Sequence, residues 1–250
     1  MSIDALTAGV SIFQRTKGHR FSSDDVVTAW VAMQVQPTPD RVLDLGCGIG
    51  SVLLHLAWSA PAAMLVGVEA QAVSFALLER NIAHNGLAAR VTVHHGDLRR
   101  PEVRAALGGP FDLVTGTPPY FPVSTATEAM DEQRAFARIE HRGGIEDYVA
   151  AAAPLLTPAG WLVLCGDADA GARAEDAAAA HGLVVRRHDL VVPRAGRPPL
   201  FSVWALGRGA AALARVDRVV TLRDERGERT DDARALRAFS GFPEAGCAIA

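Results

Sequence analysis

The stretch Val42–Leu54, with the sequence VLDLGCGIGSVLL, decides the fold of this chain. An apolar run typical of a buried strand ends in a turn with glycines at alternate positions and continues as an apolar helix. Glycine lets the backbone turn sharply and lets a ligand approach without meeting a Cβ atom. The free N–H groups at the start of the helix face that ligand. The stretch therefore predicts a site for a nucleotide-like cofactor.

Three carboxylates stand at the ends of successive strand-like runs. Asp44 precedes the glycines, where it would repel a pyrophosphate but could accept hydrogen bonds from an amine or a ribose. Glu69 closes the run Met64–Glu69, 25 residues after Asp44, and Asp97 closes the run Val91–Asp97. In doubly wound sheets an acid at the position of Glu69 binds ribose hydroxyls. An NAD-type dehydrogenase would use the same crevice and explain Glu69, but it would leave Asp44 without a role.

The pattern D-x-G-x-G-x-G that begins at Asp44 resembles the cofactor loop of class I S-adenosylmethionine-dependent methyltransferases. The resemblance implies S-adenosylmethionine as cofactor. It places Asp44 and the glycines at the amino-acid end of that cofactor, Glu69 at its ribose and Asp97 at its adenine amine. The cofactor-binding residues expected on this basis are Arg20, Asp44, Gly46, Cys47, Gly48, Gly50, Glu69, Ala70, Asp97, Leu98 and Thr117.

A fourth strand-like run, Phe111–Phe121, ends in a double-proline turn with the sequence TPPY at Thr117–Tyr120. Prolines cannot continue a strand ladder, so the turn is expected at the carboxyl edge of the sheet, where ligands bind. The tetrapeptide resembles the N-P-P-Y, D-P-P-Y or S-P-P-Y motif of methyltransferases that act on planar exocyclic or amide nitrogens. The resemblance implies catalytic roles for Thr117, Pro118, Pro119 and Tyr120.

The chemistry explains why such a motif is needed. The lone pair of a conjugated amine is a poor nucleophile, and two acceptors aimed at its N–H bonds favour the electron-rich geometry of the transition state. In the family these acceptors are the first side chain and the carbonyl of the first proline, and the aromatic residue stacks on the flipped base. Thr117 departs from the common Asn or Asp. Its hydroxyl is shorter and carries its own proton, although serine occurs there in the cytosine-amine branch.

Flanking motifs point to one branch of the superfamily. Lys17–Asp24 (KGHRFSSD), Arg134–Glu140 (RAFARIE) and Val219–Thr230 resemble segments of the bacterial tRNA(Val) adenine-N6 methyltransferase family, with Arg229 where that family usually has tyrosine. A salt-bridged loop or helix face is an alternative interpretation of Arg138 and Glu140. The substrate-binding residues expected from the resemblance and the basic clusters are Lys17, Arg20, Tyr120, Phe121, Arg138, Arg186 and Arg187.

Composition and charge set broad limits. A chain of 250 residues that is 49% hydrophobic suits one α/β domain, and no stretch approaches the length of a membrane span. No signal peptide is visible, and the 3 cysteines lack metal-ligand spacing, so we expect a cytoplasmic protein without a metal. The net charge of −3 does not indicate a nucleic-acid binder. Basic clusters at 15–20 and 186–197 could contact phosphates, but the arginine bias of this alanine-rich chain equally reflects genome composition.

Alternating strand and helix patterns predict an α/β fold, Rossmann-like and doubly wound. We expect seven strands, mostly parallel with an antiparallel last strand, in a three-layer αβα arrangement. Strands are expected at 41–45, 64–69, 90–94, 111–115, 160–165, 183–192 and 200–207, and helices at 23–35, near 50–59, 71–84 and 145–156, and at 168–181, with Ser23 as the first N-cap.

The expected organisation is a covering N-terminal extension and helix (1–40), the methyltransferase core (41–210) and a C-terminal strand–helix appendage of the same domain (211–250). Residues 122–141 form an insertion after the catalytic turn, expected to act as a lid or substrate loop.

The leading hypothesis is methyl transfer from S-adenosylmethionine to a nitrogen, most simply the exocyclic amine of adenine in tRNA or another RNA. A protein-glutamine methyltransferase is an alternative, because the lone pair of an amide nitrogen is conjugated in the same way. A small-molecule methyltransferase is a further alternative. Outside the enzymes, the chain could be an inactive, cofactor-binding RNA-binding module.

Overall fold

The computed structural model describes residues 1–120, 133, 139–141, 143–209 and 214–242. Its strands are β1 Ser2–Ala5, β2 Ser11–Gln14, β3 Arg41–Leu45, β4 Met64–Glu69, β5 Val91–His95, β6 Phe111–Gly116, β7 Leu156–Gly166, β8 Val184–Val192, β9 Phe201–Gly207 and β10 Val216–Thr221. Its helices are α1 Ser23–Val35, α2 Ser51–Ser59, α3 Ala72–His84, α4 Pro101–Ala106, α5 Ile145–Ala152, α6 Gly171–Ala180 and α7 Asp231–Phe239, with a 3₁₀ turn at Ala153–Leu155.

The main sheet has eight strands in the order β10-β8-β9-β7-β6-β3-β4-β5. All neighbours are parallel except that β9 runs antiparallel to both β7 and β8. The predicted count of seven was therefore wrong by one. The eighth strand, β10, lies in the predicted C-terminal strand–helix appendage, but it joins the main sheet by pairing in parallel with β8 at the edge. Val220 is its one fully buried side chain, so β10 lacks the apolar run by which the other strands were predicted.

Helices cover both faces of the sheet, which confirms the predicted three-layer αβα arrangement. Alternate side chains of a strand point to opposite faces. On β3, Val42 joins the cluster formed with α1, α2, α3 and α7, whereas Leu43 joins the cluster formed with α4, α5 and α6. The short helix α4 was not predicted, because none of its residues is buried.

Helix α1 begins as predicted at Ser23, but the N-cap is Ser22, not Ser23. The Ser22 backbone N–H donates to the Asp25 carboxylate at 3.0 Å, which completes a capping box. The predicted helix 168–181 is shorter, Gly171–Ala180, and β7 starts at Leu156, before the predicted 160.

The segment before α1 forms the hairpin β1–β2, which lies against the glycine turn. Ile12 of the hairpin packs in one cluster with Ile49 of the turn. Asn81 of α3 ties the two together, because its amide oxygen accepts from the Phe13 N–H at 2.7 Å and its amide nitrogen donates to the Ile49 carbonyl at 2.9 Å. The N-terminal segment thus supports the loop that follows β3.

Among the helices of the described residues, none has the length and the apolar content to span a bilayer.

Candidate cofactor and acceptor site

The glycine turn after β3 has a left-handed backbone at all three glycines, with φ values of +59° at Gly46, +56° at Gly48 and +94° at Gly50. A Cβ at Gly46 would lie 2.0 Å from the Tyr148 hydroxyl, and one at Gly50 would lie 2.7 Å from Leu78 Cδ1. A Cβ at Gly48 would meet nothing within 4 Å. Two glycines are therefore required by packing, and Gly48 faces open space.

That open space is a cleft of about 800 Å³ at the carboxyl ends of β3, β4, β5 and β6. Most of the predicted cofactor residues line it: Gly46, Cys47, Gly48, Glu69, Ala70, Asp97, Leu98 and Thr117, joined by Pro119 of the catalytic turn.

Asp44 does not line the cleft but lies buried behind it, with 1% of its surface exposed. Its Oδ1 accepts a hydrogen bond from Thr115 Oγ1 at 2.8 Å. Its Oδ2 has no hydrogen-bond partner among the described residues. Burial and the nearby charge of Glu69 raise the pKa of Asp44 to about 7, although the Thr115 hydroxyl and the Leu53 backbone amide favour the charged form.

Glu69 ends β4 and closes one wall of the cleft. Its Oε2 accepts from the Gly48 backbone N–H at 2.8 Å, and its Oε1 accepts from the Gln71 N–H at 2.6 Å. The carboxylate is 6% exposed and is held in one orientation by the turn that it faces. Carboxylate oxygens of this kind also accept hydrogen bonds from ligand hydroxyls.

Asp97 follows β5. Hydrogen bonds from Arg99, which the sequence analysis did not predict, hold its carboxylate. Arg99 donates to both carboxylate oxygens, with Nε at 3.0 Å from Oδ1 and Nη2 at 2.7 Å from Oδ2. The Arg99 backbone N–H adds a third bond at 2.9 Å. These hydrogen bonds orient the carboxylate at the rim of the cleft.

A fourth acid, Asp25 of α1, was also not predicted. It is 5% exposed and lies next to the cleft, and burial together with repulsion from Asp24 raises its pKa to about 8. Residues that also line the cleft without having been predicted are His19, Ser51, Gln71, Ser74 and Tyr148. His19 was present in the KGHRFSSD segment, whereas Tyr148 lies on α5 in a stretch without a motif.

A second cavity of about 920 Å³ adjoins the cleft. His19, Asp25 and Thr117 line both spaces, and Pro118 and Tyr120 line the second one only. Thr117 therefore stands where the two cavities meet, which is the position required of a group that contacts a cofactor and an acceptor at once.

Tyr120 is turned towards the core at this point. Its hydroxyl lies 2.9 Å from Asp24 Oδ2 and 3.0 Å from Cys165 Sγ. Burial, followed by the neighbouring thiol and carboxylate, raises the pKa of Tyr120 well above its usual value, so the phenol stays protonated and donates. The ring packs on the core cluster and borders the second cavity.

The structure does not bring the predicted basic residues to either cavity. Arg20 donates to Asp4 at 3.2 Å and to Ser2 at 3.0 Å in the N-terminal hairpin. Arg187 makes a short ion pair with the buried Asp189, and Arg186 lies 6.0 Å over the ring of Trp161. Lys17 is exposed and lines neither cavity.

Two predicted substrate residues, Phe121 and Arg138, lie outside the described residues, as does most of the predicted insertion 122–141. Within that insertion, Gln133 is buried and donates to Ser74 Oγ at 3.0 Å. Glu140 pairs with Arg173 at 2.9 Å, in line with the salt-bridged alternative.

Three comparisons place this site among known proteins. A family profile described as "Methyltransferase domain" matches residues 42–140. A "tRNA1(Val) (adenine(37)-N6)-methyltransferase" of Porphyromonas gingivalis is 30% identical over 58% of this chain and 57% of its own length. A "Release factor glutamine methyltransferase" of Geobacter sulfurreducens is 35% identical over 56% of this chain and 50% of its own length. The chain thus spans about half the length of the curated relatives it matches.

Solved structures share the fold. A "predicted O-methyltransferase" of Agrobacterium tumefaciens superimposes with a TM-score of 0.63 over 87% of this chain and 96% of its own, at 19% identity. A ribosomal protein L11 methylase of Lactobacillus delbrueckii gives a TM-score of 0.57 over 84% of this chain and 100% of its own, at 14% identity. The profile match covers the glycine turn, Asp44, Glu69 and Asp97. Together these comparisons support a class I S-adenosylmethionine-dependent methyltransferase. This family uses S-adenosylmethionine as its methyl donor, so the NAD alternative is set aside.

The cleft of this methyltransferase suits a cofactor with an ammonium and a sulfonium group. Asp44 has a buried oxygen without a described partner, and such an oxygen is costly unless a ligand satisfies it. Asp25 and Glu69 add carboxylates close by, and Gly48 leaves room at the turn. Among the described residues, no group of three or more histidines, cysteines or acids is arranged to hold a metal ion.

Proposed function

We propose that this methyltransferase transfers a methyl group from S-adenosylmethionine to a nitrogen, the exocyclic amine of an adenine in tRNA. The observation that carries the proposal is the position of Thr117, which opens the TPPY turn and lines both the cofactor cleft and the adjoining cavity. Relatives named as tRNA adenine-N6 and as glutamine methyltransferases both act on a conjugated nitrogen.

The acids of the cleft would hold the cofactor. Asp44 and the glycine turn would take its amino-acid end, Glu69 its ribose and Asp97 its adenine. The cofactor supplies an electrophilic methyl group on a sulfonium. Binding a cation beside Asp25 and Asp44 would favour the ionised form of both carboxyls, whose pKa values burial has raised.

The TPPY turn would hold the acceptor. Thr117 Oγ1 and the Pro118 carbonyl would accept hydrogen bonds from the two N–H bonds of the amine, which directs its lone pair at the methyl group. The Tyr120 ring borders the cavity where a flipped base would lie, and its hydroxyl is anchored by Asp24. Attack forms a C–N bond and breaks the C–S bond, and the acidic ammonium product then loses a proton to water.

A glutamine amide of a protein is the second candidate. The amide nitrogen is conjugated in the same way, and about half of the chain aligns with a release factor glutamine methyltransferase. No arginine or lysine among the described residues lines either cavity, so these walls do not by themselves select a nucleic acid.

The test is tritiated-methyl transfer by the purified protein to separate RNA, protein and metabolite fractions from a strain that lacks its gene. We expect label in the tRNA fraction, recovered as N6-methyladenosine after digestion to nucleosides. Label confined to protein would support the glutamine alternative, and label confined to metabolites would support a small-molecule substrate. No transfer to any fraction, despite cofactor binding, would support an inactive binding module. The Thr117→Val variant serves as the control for transfer at this site.

A further inference from the structure

A third cavity, of about 780 Å³, lies outside the site described above, between α1 and the C-terminal strand and helix. We call it the arginine groove. Ser23, at the start of α1, lines both the arginine groove and the acceptor cavity next to Thr117. The groove and the acceptor cavity therefore share Ser23 in their walls.

Three arginines line the groove: Arg223, Arg229 and Arg237. No carboxylate among the described residues lines it. Arg223 donates to the Gly227 carbonyl at 2.7 Å, and Arg237 has a buried Nε without a hydrogen-bond partner among the described residues. None of these three guanidinium groups forms an ion pair with a described residue.

Neighbouring arginines behave differently. Arg218 pairs with Asp232 at 3.3 Å, and Arg234 pairs with Asp231. The acids of α7 are thus occupied outside the groove, and the positive charge inside it is a local property that the net charge of −3 conceals.

The floor between the arginines is apolar. Val26 of α1, Leu236 of α7 and Phe242 line it, and the Arg237 guanidinium lies 6.0 Å over the Phe242 ring. Guanidinium groups bind phosphates through paired N–H donors, while aromatic and apolar surface stacks nucleobases. A strand of RNA offers both of these groups in alternation.

We propose that the arginine groove binds the RNA strand next to the target nucleotide, with phosphates on Arg223 and Arg229 and an unstacked base against Phe242. This proposal rests on the proposed RNA substrate and adds a second binding site for that RNA on the protein. It also replaces Arg186 and Arg187 as the expected phosphate contacts, because Arg187 is neutralised by Asp189 and Arg186 packs on Trp161, away from both cavities.

The test uses the full chain and a fluorescent, unmodified tRNA transcript. Arg223 and Arg229 are exposed, so Arg229→Gln and the double variant Arg223→Gln/Arg229→Gln should fold. Arg226→Gln is the matched control, since Arg226 is exposed in the same turn but does not line the groove. We expect the double variant to bind tRNA roughly 10- to 100-fold more weakly and to lower the slope of log K against log salt by about 1 to 2.

Binding of S-adenosylhomocysteine should be unchanged in all three variants, because the groove residues do not touch the cofactor cleft. If the wild type methylates tRNA but the double variant binds tRNA like Arg226→Gln, the groove proposal is overturned and the proposed function stands. If the wild type labels protein and binds no tRNA, both proposals fail together. Loss of tRNA affinity in Arg186→Gln/Arg187→Gln but not in the groove variant would show that the arginines of β8, and not those of the groove, bind the phosphates.

Discussion

Asp44 and Thr115 face each other across the parallel pair β3–β6, and the Thr115 hydroxyl donates to Asp44 Oδ1 at 2.8 Å. The two residues are 71 positions apart in the chain. Two residues after Thr115, just past the end of β6, the chain reaches Thr117, which opens the TPPY turn. One hydrogen bond therefore fixes the acid expected at the amino-acid end of the cofactor relative to the turn expected to hold the acceptor.

The raised pKa of Asp44 predicts that cofactor affinity depends on pH. Its pKa of about 7 in the fold lies above the usual value for an aspartate, so the carboxyl stabilises the free protein at low pH and loses this contribution as pH rises through about 7. The ammonium group of the ligand needs the ionised form of this carboxyl, so binding releases a proton below that pKa. We expect S-adenosylhomocysteine to bind about 10-fold more weakly at pH 6 than at pH 8.

Calorimetry in two buffers of different ionisation enthalpy measures the proton released. Asp25, with its pKa of about 8, extends the dependence above pH 7, and Asp44→Asn should remove the part centred near pH 7. An affinity that stays constant from pH 6 to pH 8 would show that neither carboxyl meets the ligand.

Replacement of Glu69 tests the ribose contact. Because Glu69 is buried and also receives the Gly48 N–H, we expect Glu69→Ala to cost about 2 kcal/mol of cofactor affinity, or about 30-fold. Glu102→Ala is the control, since that glutamate is exposed on α4 and away from the cleft. Titration calorimetry with S-adenosylhomocysteine and with NAD provides the measurement, and NAD should not bind. Equal cofactor affinities in the Glu69→Ala and Glu102→Ala variants would show that Glu69 does not contact the cofactor.

Thr117 is the residue that departs from the commoner motif, and its hydroxyl is the atom to remove. Thr117→Val keeps the shape and loses the acceptor, so single-turnover methyl transfer at saturating cofactor should slow roughly 10- to 1000-fold. Thr117→Ser should keep much of the rate. Cofactor affinity should be nearly unchanged in both. A valine variant as fast as the wild type would mean that this hydroxyl does not hold the acceptor.

Two substitutions distinguish the role of the Tyr120 hydroxyl from the role of its ring. Tyr120→Phe keeps the ring and removes the hydroxyl that donates to Asp24 and contacts Cys165, so it should lower the free energy of unfolding by about 1 kcal/mol and leave turnover close to wild type. Tyr120→Ala also removes the ring and should reduce turnover at least 10-fold beyond the phenylalanine variant. Denaturant unfolding and single-turnover rates give the two readouts. A phenylalanine variant that is stable but inactive would show that methyl transfer requires the Tyr120 hydroxyl.

The sequence by itself determined the alternating α/β architecture and the edge at which the site lies. Apolar runs followed by Gly48, Glu69, Asp97 and Thr117 predict parallel strands, and the carboxyl ends of parallel strands meet at one edge whatever the details of packing. Local pattern was sufficient because β3, β4 and β6 are mostly buried and the ends of the strands carry the motifs.

Only the tertiary structure decided which groups meet across long separations in the chain. Sheet order set the Asp44–Thr115 hydrogen bond, packing of α1 brought Asp25 to both cavities, and pairing with β8 made an eighth strand of a segment with one buried side chain. The same packing left Arg187 neutralised and Arg229 facing a groove. Charge and burial at these residues depend on neighbours that are distant in sequence, so periodicity and motif spacing carry no information about them.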